Sequence, residues 1–464
     1  MKNILKYSFI WLSAFMLTGL NGCKEDIVLE NIDSDRYQLD DGNYGSIVDQ
    51  EGKRSFSIVE FSKVKINRFY LSLSETAAAD VAGTFEVDVE LLNQYNTENS
   101  SSYELLPAEA YELAGGITLK AGEKKSSAAI LEVKTIDALD ANKTYALPLK
   151  VRVSSGNVNV NTNKNSFILF VKDLTKLPDT DKANGIKVIS CTRINPLNHL
   201  AFTLKKSNKL LIDMFILFST DIKFNPETGR LYLYSDSDVT EYLQNSKKYF
   251  KPLQDRGMKV VISILGGHEA CGISNLSEET AKEFALELKH FCDAYGLDGI
   301  FFDDEYSKYV TPPPPGFVRP STEAVSRLIY ETKKIMPDKL MTVYGWSTTR
   351  YLVEVEGHQP GDYIDWAIVD YGVGPWGLDK KYKGLPKTGM SIYSQEFAQN
   401  RYASEGSLQQ IVDGGYGGNM IFSLNPFTGN WDEQKNALKR IAKVLYKDEL
   451  DIWDDSKFLK PAKK

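Results

Sequence analysis

Leu297-Asp298-Gly299-Ile300-Phe301-Phe302-Asp303-Asp304-Glu305-Tyr306 reads as a buried strand that turns acidic at its carboxyl end. Ile300, Phe301 and Phe302 are apolar in succession, the pattern of a strand covered on both faces. Side chains alternate along a strand, so Asp303 and Glu305 share a face about 6–7 Å apart at Cβ, and Asp304 points the other way. Two carboxyls at that spacing cannot both ionise at low cost when partly desolvated, so one is held protonated near neutral pH. A proton donor needs that state. Three acids alone also fit a strand ending in a solvated turn, and the surrounding sequence decides between the two.

Working outward, residues 186–450 alternate between strand and helix signals. Strands are expected over 186–193, 210–219, 259–265, 299–303, 340–346, 363–371, 389–393 and 419–424. The clearest helix covers 278–295, with Ala281, Phe284, Ala285, Leu288, Phe291, Cys292 and Tyr295 on one stripe, Ser277 as N-cap and Gly296 just past its end. A second helix is expected over 238–255. Eight strands with helices between them predict a (β/α)8 TIM-type barrel. An open doubly wound sheet is the alternative, but no Gly-rich phosphate loop follows the first strand. Working groups of such a barrel sit at the carboxyl ends of its strands, where Asp303 and Glu305 fall.

Upstream, residues 55–173 follow a period of two. Phe85, Val87, Val89 and Leu91 alternate with acids, and Leu147, Leu149, Val151 and Val153 alternate with Pro148, Lys150 and Arg152. No long helical period is present, so a β-sandwich domain is expected, with Pro148 on an edge strand. Residues 174–185 form a linker. The chain opens with a targeting segment, 1–22: Lys2 and Lys6, then the apolar stretch from Phe9 to Leu20, too short to span a bilayer. It ends Leu20-Asn21-Gly22-Cys23, which resembles a bacterial lipobox and implies lipidation of Cys23, the first residue of the mature chain. A polar, Asp-rich tether is expected over 23–54.

The 464 residues allow two domains, and their composition is globular. With 55 Lys and Arg against 62 Asp and Glu, the net charge is −7 and no basic stripe stands out, which argues against nucleic acid as a partner. After Cys23, Cys191, Cys271 and Cys292 are too widely spaced for a disulfide framework or a zinc motif. Four histidines without HExxH or paired spacing indicate no catalytic metal, and no cofactor is expected.

With these residues placed, the chain resembles glycoside hydrolase family 18, specifically its endo-β-N-acetylglucosaminidases of the endoglycosidase H and F type. The family pattern Asp-Gly-x-Asp-x-Asp-x-Glu is matched by Asp298-Gly299-Ile300-Phe301-Phe302-Asp303-Asp304-Glu305, followed by Tyr306. Val261 to His268 and Asn275 also match. The resemblance implies hydrolysis of the β-1,4 bond in the GlcNAc-GlcNAc core of N-linked glycans, with retention and without metal. The substrate's own 2-acetamido oxygen would be the nucleophile, an exception to the two-carboxylate scheme. Glu305 is then the general acid and base, Asp303 orients the acetamide, and Tyr371 bonds near its oxygen or is a buried structural tyrosine. Phe301 replaces the first family Asp, which removes the usual device for cycling Asp303's charge while fitting a packed barrel layer. Val369 replaces an amide two residues before the tyrosine, with the expected loss of one orienting hydrogen bond.

His268, Tyr306, Trp346, Trp376 and Asn425 are candidates for contacting sugar; core packing or loop structure is the competing reading for each. Lys24-Glu25-Asp26 and the N-terminal module resemble those of surface lipoproteins from glycan-foraging gut bacteria. The resemblance implies an outer-membrane lipid anchor, surface exposure and neighbouring glycan-uptake proteins. A chitinase-like hydrolase of β-1,4-GlcNAc oligomers and a non-catalytic glycan-binding protein are the alternative functions.

Overall fold

The structure, a computed structural model, describes residues 43–452 apart from 142, 157 and 161–164. The targeting segment, Cys23 and most of the tether lie outside the described residues. Eight strands follow one another around a closed parallel barrel: β1 (Lys187–Arg193), β2 (Met214–Asn225), β3 (Lys259–Gly266), β4 (Gly299–Phe302), β5 (Leu340–Tyr344), β6 (Trp366–Ile368), β7 (Met390–Ser391) and β8 (Gly418–Phe422). The barrel closes where β8 pairs with β1, Gly418 opposite Lys187.

Alternation along each strand sorts the apolar residues into two layers. Ile189, Cys191, Ile216, Val261, Phe301 and Met420 fill the barrel's interior. Ile300, Phe302, Val260 and Ile262 face the surrounding helices instead. Those helices are α1 (Ser237–Gln244), α2 (Glu278–Tyr295), α3 (Thr322–Ile335), α4 (Glu405–Gly414) and α5 (Trp431–Tyr446), with shorter turns between them. The Ser277 side chain accepts the N–H of Thr280 to start α2, and Gly296 closes it in the left-handed region at φ 66°.

Three expectations in the barrel need correction. The helix expected over 238–255 is broken into Ser237–Gln244, Ser246–Tyr249 and Lys251–Gln254, because Asn245 leaves helical geometry and Pro252 starts a new turn without an N–H to give. Strand β6 is shorter than 363–371, since Pro360–Tyr363 forms a helical turn. Strand β2 runs on into a hairpin with Arg230–Ser235, a strand that the sequence reading left out.

The N-terminal domain packs a four-stranded sheet built on Lys65–Leu73 and Ala129–Val133 against a six-stranded sheet that includes Ser55–Phe61, Val81–Val87, Tyr145–Ser155 and Ser166–Asp173. Phe69, Leu131, Leu147 and Phe167 fill the space between them, with the two phenyl rings edge to face at 5.2 Å. The sheet begins inside the expected tether, because Gly45–Asp49 pairs with Lys65–Leu73. The alternation through Val89 and Leu91 is not strand: Val89–Glu98 is a helix whose Leu92 and Tyr95 pack on Phe170. Pro148 is not on an edge. Its strand lies between two others, but its carbonyl takes the N–H of Asp88, just beyond the end of Val81–Val87, so its missing donor faces a point where the ladder has stopped.

The sandwich meets the barrel at the amino ends of β3 and β5. Tyr95 Oη donates to the Lys334 carbonyl at 2.7 Å, and Tyr103 Oη and Thr144 Oγ1 donate to the two oxygens of Asp338 at 2.6 and 3.1 Å. Lys259 pairs with Glu60 at 3.0 Å.

Candidate active site

Strand β4 delivers its acids to the opposite, carboxyl end of the barrel. Asp303 N–H still donates to the Ile264 carbonyl of β3 at 3.2 Å, so its side chain keeps the inward direction of Phe301. Asp304 points out and ties loops together: it accepts Tyr309 Oη at 2.5 Å, Thr348 Oγ1 at 2.7 Å and Thr348 N–H at 3.3 Å. Glu305 is fixed through its backbone, whose carbonyl accepts the Gly266 N–H at 2.9 Å. A Cβ on Gly266 would lie 2.1 Å from Ser307 Oγ and 2.4 Å from its nitrogen, so only glycine lets the loop after Glu305 lie against β3. Tyr306 and His268 both adopt left-handed backbone, φ 65° and 59°. Their rings meet edge to face at 5.5 Å.

The cleft above this strand end holds about 380 Å³ and is lined by Asp303, Glu305, Tyr306, Tyr344 and Tyr371 among others, with Cys191, Phe301 and Met420 at its floor. Asp303 is only 3% exposed, and its Oδ1 has no hydrogen-bond partner. Burial first, then the neighbouring carboxyls of Glu305, Asp304 and Asp370, push it well above the usual carboxylate range. Glu305 is half-buried and is likewise pushed up, by burial and then by Asp370 and Asp304. The ring of Tyr371 lies 6.3 Å from that of Tyr344 and 6.2 Å from that of Phe422. Burial raises its phenol too, so Tyr371 stays a hydrogen-bond donor through the neutral range. The arrangement offers one accessible carboxyl that can give and retake a proton, a second buried carboxyl able to hold an N–H, and a phenol donor across the cleft.

Of the residues expected from sequence, Asp303, Glu305, Tyr306 and Tyr371 come together in this cleft, and His268 stands exposed beside Tyr306. Trp346, Trp376 and Asn425 are not among its lining residues. Trp346 lies beside the Arg350 guanidinium at 5.7 Å, and Trp376 is 84% exposed. Asn425 Oδ1 accepts the Phe427 N–H at 2.9 Å and shapes the turn after β8. Asn275 is buried and internal to the β3 loop, its amide bonded to the Ala270 carbonyl and its Oδ1 to the Gly272 N–H. Val369 needs a correction. It packs in the outer layer with the helices, so no orienting bond in the cleft is lost by its being apolar. Strand β6 ends at Ile368; Val369 still faces outward like Ala367, and the alternation breaks before Tyr371, whose ring packs on the inner layer.

The sequence reading missed Tyr344, Asp370, Arg193 and Glu396. Tyr344 Oη donates to Asp370 Oδ1 at 2.5 Å, and Arg193 and Glu396 line the cleft. Each stands at or just beyond the end of a strand, and that placement was the available signal.

A family model described as an N-terminal domain matches residues 40–158. Endo-beta-N-acetylglucosaminidase F1 of Elizabethkingia meningoseptica is 52% identical over 276 residues, 58% of this chain and 81% of the relative. The solved structure of Bacteroides thetaiotamicron EndoBT-3987 with Man5GlcNAc product aligns with a TM-score of 0.80 at 30% identity, covering 90% of this chain and 99% of that one. The same protein in complex with Man9GlcNAc2Asn substrate aligns with a TM-score of 0.72 at 28% identity, covering 88% and 96%.

Proposed function

The chain belongs to the endo-β-N-acetylglucosaminidases with a glycoside hydrolase family 18 type of barrel, and from that premise we propose that it cleaves the GlcNAc-GlcNAc core of oligomannose N-linked glycans, leaving one GlcNAc on the protein. The observation that carries this reading is the pair of inward carboxyls at the end of β4, one half-exposed and one buried, facing Tyr371 across a cleft. The oligomannose product and substrate held by EndoBT-3987 support the choice of glycan.

Glu305 protonates the leaving sugar oxygen as the acetamido oxygen of the substrate attacks the anomeric carbon, and the resulting glutamate then takes a proton from water as it opens the oxazolinium. Asp303 holds the acetamide N–H and offsets the charge on its nitrogen, and Tyr371 donates near its oxygen. A raised Glu305 stays protonated above the ordinary glutamate range, so kcat/KM falls only as pH rises through that raised value. Mass spectrometry of an oligomannose glycoprotein incubated with the chain from residue 24 tests the reading. The expected product carries a single GlcNAc, and Glu305→Gln slows its formation by roughly 100- to 10,000-fold. Equal rates for the two proteins would rule the assignment out.

Lipidation of Cys23, anchoring to the outer membrane with the barrel facing outward, and work beside glycan-uptake proteins complete the proposal. The charged start, apolar stretch and Leu20-Asn21-Gly22-Cys23 support it. A Cys23→Ser protein found in the soluble rather than the membrane fraction of the producing cell is the expected result.

A further inference from the structure

Alternation sends Asp304 to the outer side of the chain as it leaves β4, away from the cleft, and the two positions below it on that side, Ile300 and Phe302, are apolar. Asp304 is nonetheless only 7% exposed. A buried carboxyl is costly unless it is hydrogen-bonded, and this one takes donors on both oxygens. Tyr309 Oη donates to Oδ1 at 2.5 Å, and Thr348 Oγ1 and N–H donate to Oδ2 at 2.7 and 3.3 Å. Because the Thr348 hydroxyl gives its proton to Asp304, its oxygen accepts from Ser274 Oγ, a fully buried hydroxyl in the loop after β3. The Ser274 N–H donates to Tyr309 Oη at 3.3 Å and closes a ring of bonds through three loops. Thr348 is held from behind as well, where its carbonyl accepts Thr322 Oγ1 of α3 at 3.0 Å.

These bonds act on the turn that carries Glu305. Towards β3 that turn is held by its backbone. The Glu305 carbonyl accepts the Gly266 N–H at 2.9 Å, the Tyr306 carbonyl accepts the His268 N–H at 3.1 Å, and the Lys308 N–H donates to the Glu269 carbonyl at 2.7 Å. Towards β5 the paired backbone stops at Phe302, opposite Val343. Beyond that point the hydrogen bonds that cross run from Thr348 to the Asp304 side chain. We propose that Asp304 is a positioning residue whose carboxyl pins the Glu305 turn between the loops after β3 and β5 and thereby sets where the proton donor stands. The inference rests on the hydrolytic reading above and adds a residue to it. With Asp304 anchored on one side and the Glu305 carbonyl on the other, the peptide between them has little room to swing. Without the carboxyl, the donor is held from the β3 side alone, and a shift of about 1 Å in a reacting group costs on the order of 100-fold in rate. Asp304 points away from the substrate, so its loss bears on proton donation and not on glycan binding.

The test compares two leaving groups in the parent, Asp304→Ala, Thr348→Val, Thr348→Ser and Tyr309→Phe. One substrate is an oligomannose glycoprotein, whose departing sugar oxygen must be protonated. The other carries the same oligomannosyl-GlcNAc on para-nitrophenol, which departs as the phenolate without a proton from Glu305. Asp304→Ala is expected to lower kcat on the glycoprotein by roughly 100-fold with KM little changed, and to lower kcat/KM on the nitrophenyl glycoside far less. Thr348→Val and Tyr309→Phe should show the same split at smaller size, and Thr348→Ser, which keeps the hydroxyl, should restore the rate. Each of these removes one bond only, which keeps the inference testable if Asp304→Ala folds poorly. A carboxyl that merely supports the fold would slow both substrates alike through a smaller active fraction. An equal loss on both therefore overturns the inference, as does an undiminished kcat on the glycoprotein. If the parent itself releases no glycan, the hydrolytic reading fails and takes this one with it; an active parent whose variants show no split sinks this one alone.

Discussion

At position 301 a phenyl ring occupies the depth from which Asp303 would otherwise draw a hydrogen bond, and the barrel accepts it because that depth is an apolar layer with Ile189, Val261 and Ile368. The acidic pair itself was legible because both members lie within three residues of one strand and alternation alone puts them on one face. Tyr344 and Asp370 were not legible as partners, since they come from different strands and meet only when the barrel closes. The reading of Val369 failed for the complementary reason: it assumed that alternation continues past the end of β6. Val369 is buried at 4% exposure among apolar side chains of the outer layer. Restoring an amide with Val369→Gln is therefore expected to destabilise the fold by about 1–3 kcal/mol, the cost of an unsatisfied buried polar group. It should leave kcat/KM close to the parent's. Urea unfolding beside steady-state kinetics would show both; an increase in activity would place this side chain in the cleft after all.

Elements with a single strong signal were read with little error. Strand β3 announces itself as an unbroken apolar run, and α2 carries an apolar stripe between a serine cap and a C-terminal glycine, so both were placed within a residue of their ends. Elements that depend on how the chain is broken were not. The run through Val89 alternates like a strand until Asp88 is seen as the residue before a helix, and the apolar period over 238–255 hides two interruptions. The connection between β3 and the loop after β4 belongs to this scale. Gly266 is required by the approach of Ser307, and that approach sets where Glu305 stands. A methyl group there must push the loop away, at about 1–3 kcal/mol of overpacking. Because displacing a proton donor by roughly 1 Å costs on the order of 100-fold in rate, Gly266→Ala is expected to lose about that factor in kcat/KM while the protein remains folded. Circular dichroism with kinetics on one sample would separate the two effects, and full activity would mean that the loop does not position Glu305.

Across the whole molecule, the sandwich grips the barrel on the face opposite the cleft, through Tyr95, Tyr103 and Thr144 on one side and Lys334 and Asp338 on the other. The two β-architectures were legible separately, from a period of two before residue 173 and a strand–helix rhythm after 186, but no sequence pattern announced a contact between Tyr103 and a loop 235 residues away. Asp338 is the centre of that contact. Burial alone would raise its carboxyl, but Lys339, Tyr103 and Thr144 outweigh burial and hold it below the ordinary aspartate range. A carboxyl depressed in the folded state stabilises it above the unfolded value, near pH 3.9, and that contribution is lost as pH falls through the lower folded value. Each hydrogen bond to such a charged acceptor is worth about 1.5–3 kcal/mol. Asp338→Ala should therefore uncouple the domains at pH 7, replacing one cooperative calorimetric transition by two, with glycan release at low temperature retained because the cleft is at the other end of the barrel. The difference from the parent should shrink as the scan is repeated at pH falling below the unfolded aspartate value toward the lowered folded one, where the parent also loses the carboxylate. An unchanged single transition at pH 7 would mean that the Tyr95–Lys334 hydrogen bond and the Lys259–Glu60 pair, rather than this carboxylate, join the two domains.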